Sequence, residues 1–592
     1  MPPRTHAVAV AAVAALVLLC NLGGPALWDD DEPKNAACSQ AMLDRGDWVV
    51  PTFNGRLRVE KPALVNWLHM AGFALAGRTE TGARLGSACL TIGTALLTRH
   101  LAAALLGAEA GLFAGLAMAS CIWTAVGGRS ATPDAPLVFF TTLALACRVA
   151  ALGAARGGRS PRRWMIGCGA ALGAAALAKG PVGLCLPLAA FLAHACWEAM
   201  AARSAASPPA GRLRAGLAEL HLPLLGAAAA AVALPWYVAV TVRTGGAWLE
   251  GFLVIHNAGR FAAPMEGHAG PALLYYPAVV AVGFFPWSIV LAAVVVHAIA
   301  LTRAADTPPA RAGGVRLALC WLACWVGAFS AAGTKLPGYV WPAYPALAML
   351  TGDFLAAWIA GEARCTARCR FPAVALERVM RLAWSILFAG GLAIAIGLVA
   401  AAVAGLPQLF PAAWLGVVPA AGAVAAWHLQ GRLERRGAVA ALAVTAALST
   451  AGLAAIAADR VGGARHARLL VEDLGPRPAR GAWAGFGAVP PSMVFYAAED
   501  IPTLVATEDV RAHLASRPDA RVLLDSRFEM HLPDPLPAGF AVVARRPQPF
   551  GPCLVVVGPR DGAGGRPPSP TDVSPENPLA WHPHTPARPA TP

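Results

Sequence analysis

Apolar segments of about twenty residues, the length that crosses a bilayer core, recur along most of this chain and constrain its fold more than any motif. A soluble fold of 592 residues could not cover a surface drawn from a chain that is 57% hydrophobic and 14% charged. The mean hydropathy of +0.55 places it among polytopic membrane proteins. The expected fold is all-α, with thirteen spans at residues 7–28, 83–106, 108–127, 134–153, 163–178, 180–200, 217–241, 272–301, 316–332, 338–359, 382–405, 411–429 and 437–458. The first span follows Arg4 but no small-residue cleavage site follows it, so it reads as an uncleaved membrane helix.

Orientation follows from the basic residues of the short loops, which prefer the cytoplasm. With the N-terminus inside, every inner loop is basic. Arg99, the run Arg148 to Arg163, Arg203 to Arg214, Arg303 to Arg316, Arg364 to Arg381 and Arg432 to Arg436 all fall there. An odd number of spans puts the C-terminal region outside. The formal charge of +14 is largely spent on this pattern, and no nucleic-acid partner is expected. The thirteen cysteines sit mostly in apolar segments as small hydrophobes. The pairs Cys320/Cys324 and Cys365/Cys369 lack the further ligands of a zinc site.

Of the 47 Lys and Arg residues only four are lysine, and Lys34, Lys61, Lys179 and Lys335 all fall on the outer side or at outer helix ends. A compact ammonium binds phosphate as a point charge. The longest outer loop of the membrane part, residues 28–82, opens with Asp29, Asp30, Asp31 and Glu32. A short helix is expected over Glu32–Leu43, with Asp31 as its N-cap and Lys34 and Asn35 brought alongside. "FNGRL" reads as a turn, and Ala63–Ala76 as a helix lying at the interface. Other outer segments add Arg129 and Asp134, Lys179, then His256, Asn257 and Arg260 on one helical turn, and Lys335 with Tyr339. Fixed cations suit a phosphate leaving group, and a carboxylate among cations stays ionised, as a general base must. The chain shows no Gly-rich nucleotide loop.

The acidic cluster with "AMLDRGDWVVPTFNG" and "EKPAL", then "AKGPVG", "HNAGRF" and "TKLPGYVWPAYPAL", resembles the bacterial glycosyltransferase family 39, in order from about Trp28 to Leu350. That family includes aminoarabinose transferases that modify lipid A and is related to protein O-mannosyltransferases. The resemblance implies the GT-C membrane fold, a polyprenyl-phosphate sugar donor, a lipid or protein acceptor, work on the periplasmic face of the bacterial inner membrane and inversion at the sugar. Carried over by position, it implies Asp31 as the catalytic carboxylate, counted back from Gly46–Trp48, with Glu60 and Asp134 as further acids. It implies Lys34, Lys61, Lys179, His256, Arg260, Lys335 and Tyr339 as the groups that hold the donor, and Arg129 joins them from the outer segments read above. Three positions depart from the family pattern: Asn35 replaces a Tyr, Val59 an aromatic and Ala63 a Pro, so the sugar stays open.

Alternatives follow from the same residues. Asp29, Asp30 and Glu32 read as solvated neighbours of Asp31. Glu60 and His256 offer a divalent cation two ligands without a third, so no cofactor is expected, and Glu60 also reads as a salt-bridge partner. Asp134 reads equally as a partner of Arg129 at a helix end, and Lys335 and Tyr339 as interfacial anchors. Residues 461–561 are expected to form a small periplasmic α/β domain. Its strands are "ARVLLDS", "FAVVARR" and "CLVVVGP", its helix is "TEDVRAHLAS", and the Pro-rich 562–592 is expected to be disordered. The membrane part, 1–460, is the expected transferase domain. A lipid or sugar transporter is the main rival, but its key charges would lie near the midplane, within inverted repeats.

Overall fold

The computed structural model describes residues 3–560 except 29, 202–208, 265–267, 269, 272–273, 464–465, 475–478, 488 and 549–550, so the Pro-rich 562–592 and Asp29 lie outside the described residues. Helix α1 (Pro3–Leu19) leads to α2 (Asp31–Arg45), a hairpin of β1 (Thr52–Phe53) and β2 (Arg56–Leu57), and α3 (Leu64–Ala76). There follow α4 (Glu80–Leu106), α5 (Ala108–Ser120), α6 (Ile122–Gly127), α7 (Asp134–Arg156), α8 (Arg162–Lys179) and α9 (Val182–Ala201). Among the described residues nine helices are long and apolar enough to cross a membrane, or ten if a bent pair counts as one span.

All thirteen expected spans coincide with helical segments, but the first is shorter than expected, since α1 ends at Leu19, and two others change form. The stretch 108–127 is broken at Cys121 into α5 and α6. Residues 272–301 do not make one straight rod: Tyr275–Gly283 and Trp287–Arg303 meet at 118°. Pro286 lies between them, where a missing N–H and a bulky ring interrupt the helical ladder. The expected interfacial helix is α3, and Gly72 lets it press onto α4. A Cβ there would lie 2.0 Å from the carbonyl oxygen of Gly82. Small residues of this kind permit close helix approach where lipid supplies no hydrophobic drive.

The C-terminal part carries a five-stranded sheet in the order β4-β3-β5-β7-β6, from β3 (Trp483–Phe486), β4 (Thr503–Leu504), β5 (Arg521–Asp525), β6 (Phe540–Gln548) and β7 (Gly551–Pro559). β3 pairs in parallel with β4 and β5, and β7 runs antiparallel to β5 and β6. The three expected strands and the helix Thr507–Ser516 are present, and β3, β4 and the helix Pro491–Ala497 are additions. That added helix packs Met493 and Val494 into one core with Ala36 and Ala37 of α2. Asn54 at the hairpin tip exchanges two hydrogen bonds with the backbone of Ile501, at 3.0 and 2.6 Å. The sheet domain therefore braces the first outer loop.

Candidate active site

The loop sequence sets the frame of the site. Gly46 takes φ 63° and closes α2, its N–H on Leu43 O at 3.1 Å while Asp47 N–H reaches Met42 O at 3.0 Å. This is the left-handed stop that glycine adopts without strain. Asp47 then accepts from the backbone of Val49 and Val50 and pairs with Arg243 at 2.7 and 3.0 Å. Asn54 and Gly55, both at positive φ, turn the hairpin as "FNGRL" predicts. The chain thus returns to α2 carrying Arg58, Glu60 and Lys61.

Asp31 is the first residue of α2 rather than its cap. Asp30 holds the N-cap position, in helical conformation and with no side-chain capping bond. The Asp31 carboxylate opens into a recess with protein on most sides. Burial alone would raise its pKa, but Lys61, Arg58, Lys179 and Lys34 outweigh it and hold the carboxyl below its ordinary range. Lys61 makes no hydrogen bond or close ion pair among the described residues, and Asp31, Lys179, Asp134 and Arg260 all act on it electrostatically. Desolvation, with Lys179 and Arg260, lowers its pKa against the pull of Asp31 and Asp134. Asp134 pairs with Lys179, whose ammonium also lies 4.9 Å from the Tyr339 ring.

Glu60 pairs with Arg58 at 3.2 Å, as the salt-bridge reading predicts, and its carboxyl is held below the ordinary range. Burial opposes that lowering, and Arg58 and then His256 favour it. His256 lies in a nine-residue π-helical segment, Gly251–Gly259, which runs into Arg260. Two carbonyls beyond it fix its position: Thr334 N–H reaches Arg260 O and Gly333 N–H reaches Phe261 O, at 3.2 and 2.8 Å. Lys34 is half-buried and faces Asp30 at 4.0 Å.

Three expectations need correction. Glu32 is not a solvated neighbour. It is buried against Arg84 at 3.0 and 2.8 Å and accepts N–H bonds from Trp28 and Ala131. Arg129 does not enter the recess or pair with Asp134. It is buried, and its guanidinium donates to Val17, Leu18, Cys20 and Asn21 carbonyls at the end of α1. Lys335 is also buried and donates to the carbonyls of Phe329, Ser330 and Ala332, closing the helix Pro309–Ala331. In both cases a helix C-terminus with unsatisfied carbonyls has captured the nearest cation.

Arg58 is the residue that sequence reasoning missed. Its side chain is buried, held by Asn35 Oδ1 at 2.8 Å and by Glu60, and its carbonyl accepts from the Trp248 indole at 2.9 Å. Asn35, the departure from the family's Tyr, is thereby the residue that aims Arg58. Its amide donates to Ala131 O at 2.9 Å, and its own carbonyl accepts from Ser39. The only sequence signal was that Arg58 stands three residues before Lys61. Among the described residues no three of His, Cys, Asp or Glu gather as a metal-ligand set.

Residues 60–211 match the family model described as dolichyl-phosphate-mannose-protein mannosyltransferase. An undecaprenyl phosphate-alpha-4-amino-4-deoxy-L-arabinose arabinosyl transferase of Pectobacterium carotovorum is 31% identical over 388 residues, 64% of this chain and 63% of that protein. The Pseudomonas aeruginosa protein of the same name is 32% identical over 345 residues, 57% of this chain and 58% of that one. The chain thus matches about three fifths of the length of these relatives. The crystal structure of ArnT from Cupriavidus metallidurans bound to undecaprenyl phosphate superposes with a TM-score of 0.71 over 95% of this chain and 98% of that one, at 22% identity. The GT-C membrane fold implied by the sequence is the fold of this multi-pass chain, and its resemblance to glycosyltransferase family 39 holds.

Proposed function

From that fold and that likeness, we propose that the protein is an integral-membrane glycosyltransferase that moves a sugar from a polyprenyl-phosphate donor to a lipid acceptor of the lipid A kind. The observation that carries this reading is the charge imbalance around Asp31. Five cations, Lys34, Arg58, Lys61, Lys179 and Arg260, meet four carboxylates, Asp30, Asp31, Glu60 and Asp134, and among the described residues Lys61 makes no hydrogen bond or close ion pair. Such a recess receives an anion, and a poorly solvated one strengthens the attraction. The relatives named above are called transferases that take their sugar from undecaprenyl phosphate, which agrees with that requirement.

In the proposed reaction the bond between the anomeric carbon and the phosphate oxygen breaks, and its electron pair leaves on the phosphate. Lys61, Lys179 and Arg260 balance the charge that develops there. The acceptor oxygen attacks the opposite face of the sugar, which inverts the centre. For a hydroxyl acceptor Asp31 takes the proton, and its lowered pKa keeps it ionised for that task. For a phosphate acceptor, already ionised, Asp31 orients the attacking group instead. Glu60 fixes Arg58, and Asp134 with Tyr339 fixes Lys179. The membrane part up to residue 460 forms the transferase domain, with its active face and sheet domain in the periplasm and its N-terminus in the cytoplasm. The sheet domain serves chiefly as a brace for α2.

The test is sugar transfer in proteoliposomes supplied with undecaprenyl-phosphate aminoarabinose and lipid A, with products read by mass spectrometry. Asp31→Asn should lose about a hundredfold to ten-thousandfold in rate while the protein keeps its melting behaviour. Lys61→Ala should lose donor affinity as well as rate. Unimpaired transfer by both variants would overturn the mechanism, and movement of intact donor across the bilayer without transfer would favour a transporter.

A further inference from the structure

At the opposite end of the molecule, a cavity of about 360 Å³ lies between α4, α7, α8, α9 and the helix Pro309–Ala331. Its walls include Leu101, Leu105, Val149 and Leu317, and Arg156, Arg159 and Arg163 line it as well. These arginines come from the end of α7, the start of α8 and the turn between them. Gly158 at φ 66° and the bond from Arg159 N–H to Ala154 O, 2.8 Å, fold that turn back on α7. The Arg163 guanidinium stacks over the Trp164 ring at 5.0 Å.

What separates this trio from its neighbours is the lack of carboxylates. At the same end of the molecule Arg316 pairs with Glu198, Arg311 with Asp353, Arg435 with Glu377 and Arg148 with Glu219. Among the described residues Arg156, Arg159 and Arg163 have no ion pair. The three arginines are exposed to an approaching ligand, and guanidinium matches phosphate oxygens two at a time. In the orientation proposed above the cavity falls at the inner membrane boundary, where apolar walls meet the basic loop, and basic pockets between helices there hold phospholipid headgroups.

We propose that this cavity is a binding site for the phosphate headgroup of an anionic phospholipid of the inner leaflet, held by Arg156, Arg159 and Arg163 with its acyl chains along the apolar wall. The volume suits a headgroup of this size. Such a lipid ties the end of α7 to the start of α8. Those two helices carry Asp134 and Lys179 at their far ends, so the bound lipid fixes the pair from below.

The test uses the full-length protein, delipidated in neutral detergent, with dioleoyl phosphatidylglycerol, dioleoyl phosphatidylcholine or inorganic phosphate added. Retained lipid is read by native mass spectrometry and stability by thermal melting. Phosphatidylglycerol should be retained and raise the melting temperature by several degrees, and both effects should fade with salt. The triple variant Arg156→Gln, Arg159→Gln, Arg163→Gln should bind it at least tenfold more weakly. Arg378→Gln with Arg381→Gln, exposed cations elsewhere at the same end, should leave binding unchanged. Equal retention of phosphatidylcholine, or a triple variant that binds as well as the parent, overturns the proposal. Phosphate alone giving the full stabilisation overturns the lipid as its source. Should the triple variant fail to fold, the preference of the parent protein for phosphatidylglycerol and its salt dependence decide the matter.

Discussion

The carboxylates of Asp31 and Glu32 leave the first turn of α2 in different directions and meet different surroundings. Around Glu32 every group is matched. The five N–H donors of Arg84 are shared among the two Glu32 oxygens and the carbonyls of Leu22, Pro25 and Ala26, at distances from 2.6 to 3.1 Å. No N–H of Arg84 is left over for a ligand, and the pair fastens the loop after α1, α2, α4 and the loop at Ala131 together. Around Asp31 the cations outnumber the carboxylates, Lys61 makes no hydrogen bond or close ion pair among the described residues, and the site is open to solvent. The contrast separates a charge consumed by the fold from one the fold leaves available by its remaining hydrogen-bonding and electrostatic capacity, since both are carboxylates of one helical turn.

Removing one side of the matched pair tests the contrast most severely. Arg84→Met leaves Glu32 buried without a cation, which should cost about 3–5 kcal/mol of stability, read as a large fall in melting temperature. A variant that melts like the parent would mean that the Glu32 junction is not the fastening it is taken to be. Transfer by whatever fraction stays folded should remain normal, the reverse of Asp31→Asn.

The next effect is a pH dependence in the recess. Burial and the neighbouring cations hold Lys61 below the ordinary lysine range, so it is charged below that lowered value and loses its charge as pH rises through it. Transfer efficiency, kcat/KM for the donor, should therefore fall on the alkaline side, starting below the ordinary lysine value of about 10.4. Bound phosphate favours the ammonium, so the fall in kcat should come at higher pH. Lys61→Arg should move the alkaline limb upward, and an unmoved limb would assign it to another group. The smallest effect belongs to Asp30, whose exposed carboxylate faces Lys34 at 4.0 Å. Asp30→Asn should change stability by less than about 1 kcal/mol and leave transfer within twofold of the parent.

Much of this was legible in the chain. The apolar segments and the strands at Arg521–Asp525, Phe540–Gln548 and Gly551–Pro559 follow from hydrophobic period and local chemistry, which act over a few residues. Gly46 and Asn54–Gly55 announced their turns because few other residues take those backbone angles. Arginines were the blind spot. Arg58, Arg84, Arg129 and Arg163 look alike in a sequence where nearly every cation is arginine, and each took its role from acceptors supplied by distant segments.

What the sequence determined by itself is the membrane class, the helical segments and the residue types gathered in the loop of residues 28–82. These depend on segment length, hydropathy and loop charge. Which charges would be consumed by the fold was decided only in three dimensions. A cation is captured by whichever unsatisfied carbonyls or carboxylates come within about 3 Å, and that proximity is set by helix packing. On this ground Arg129 and Lys335 became helix caps and Glu32 a fastening, while among the described residues no hydrogen bond or close ion pair consumes the charges of Asp31 and Lys61.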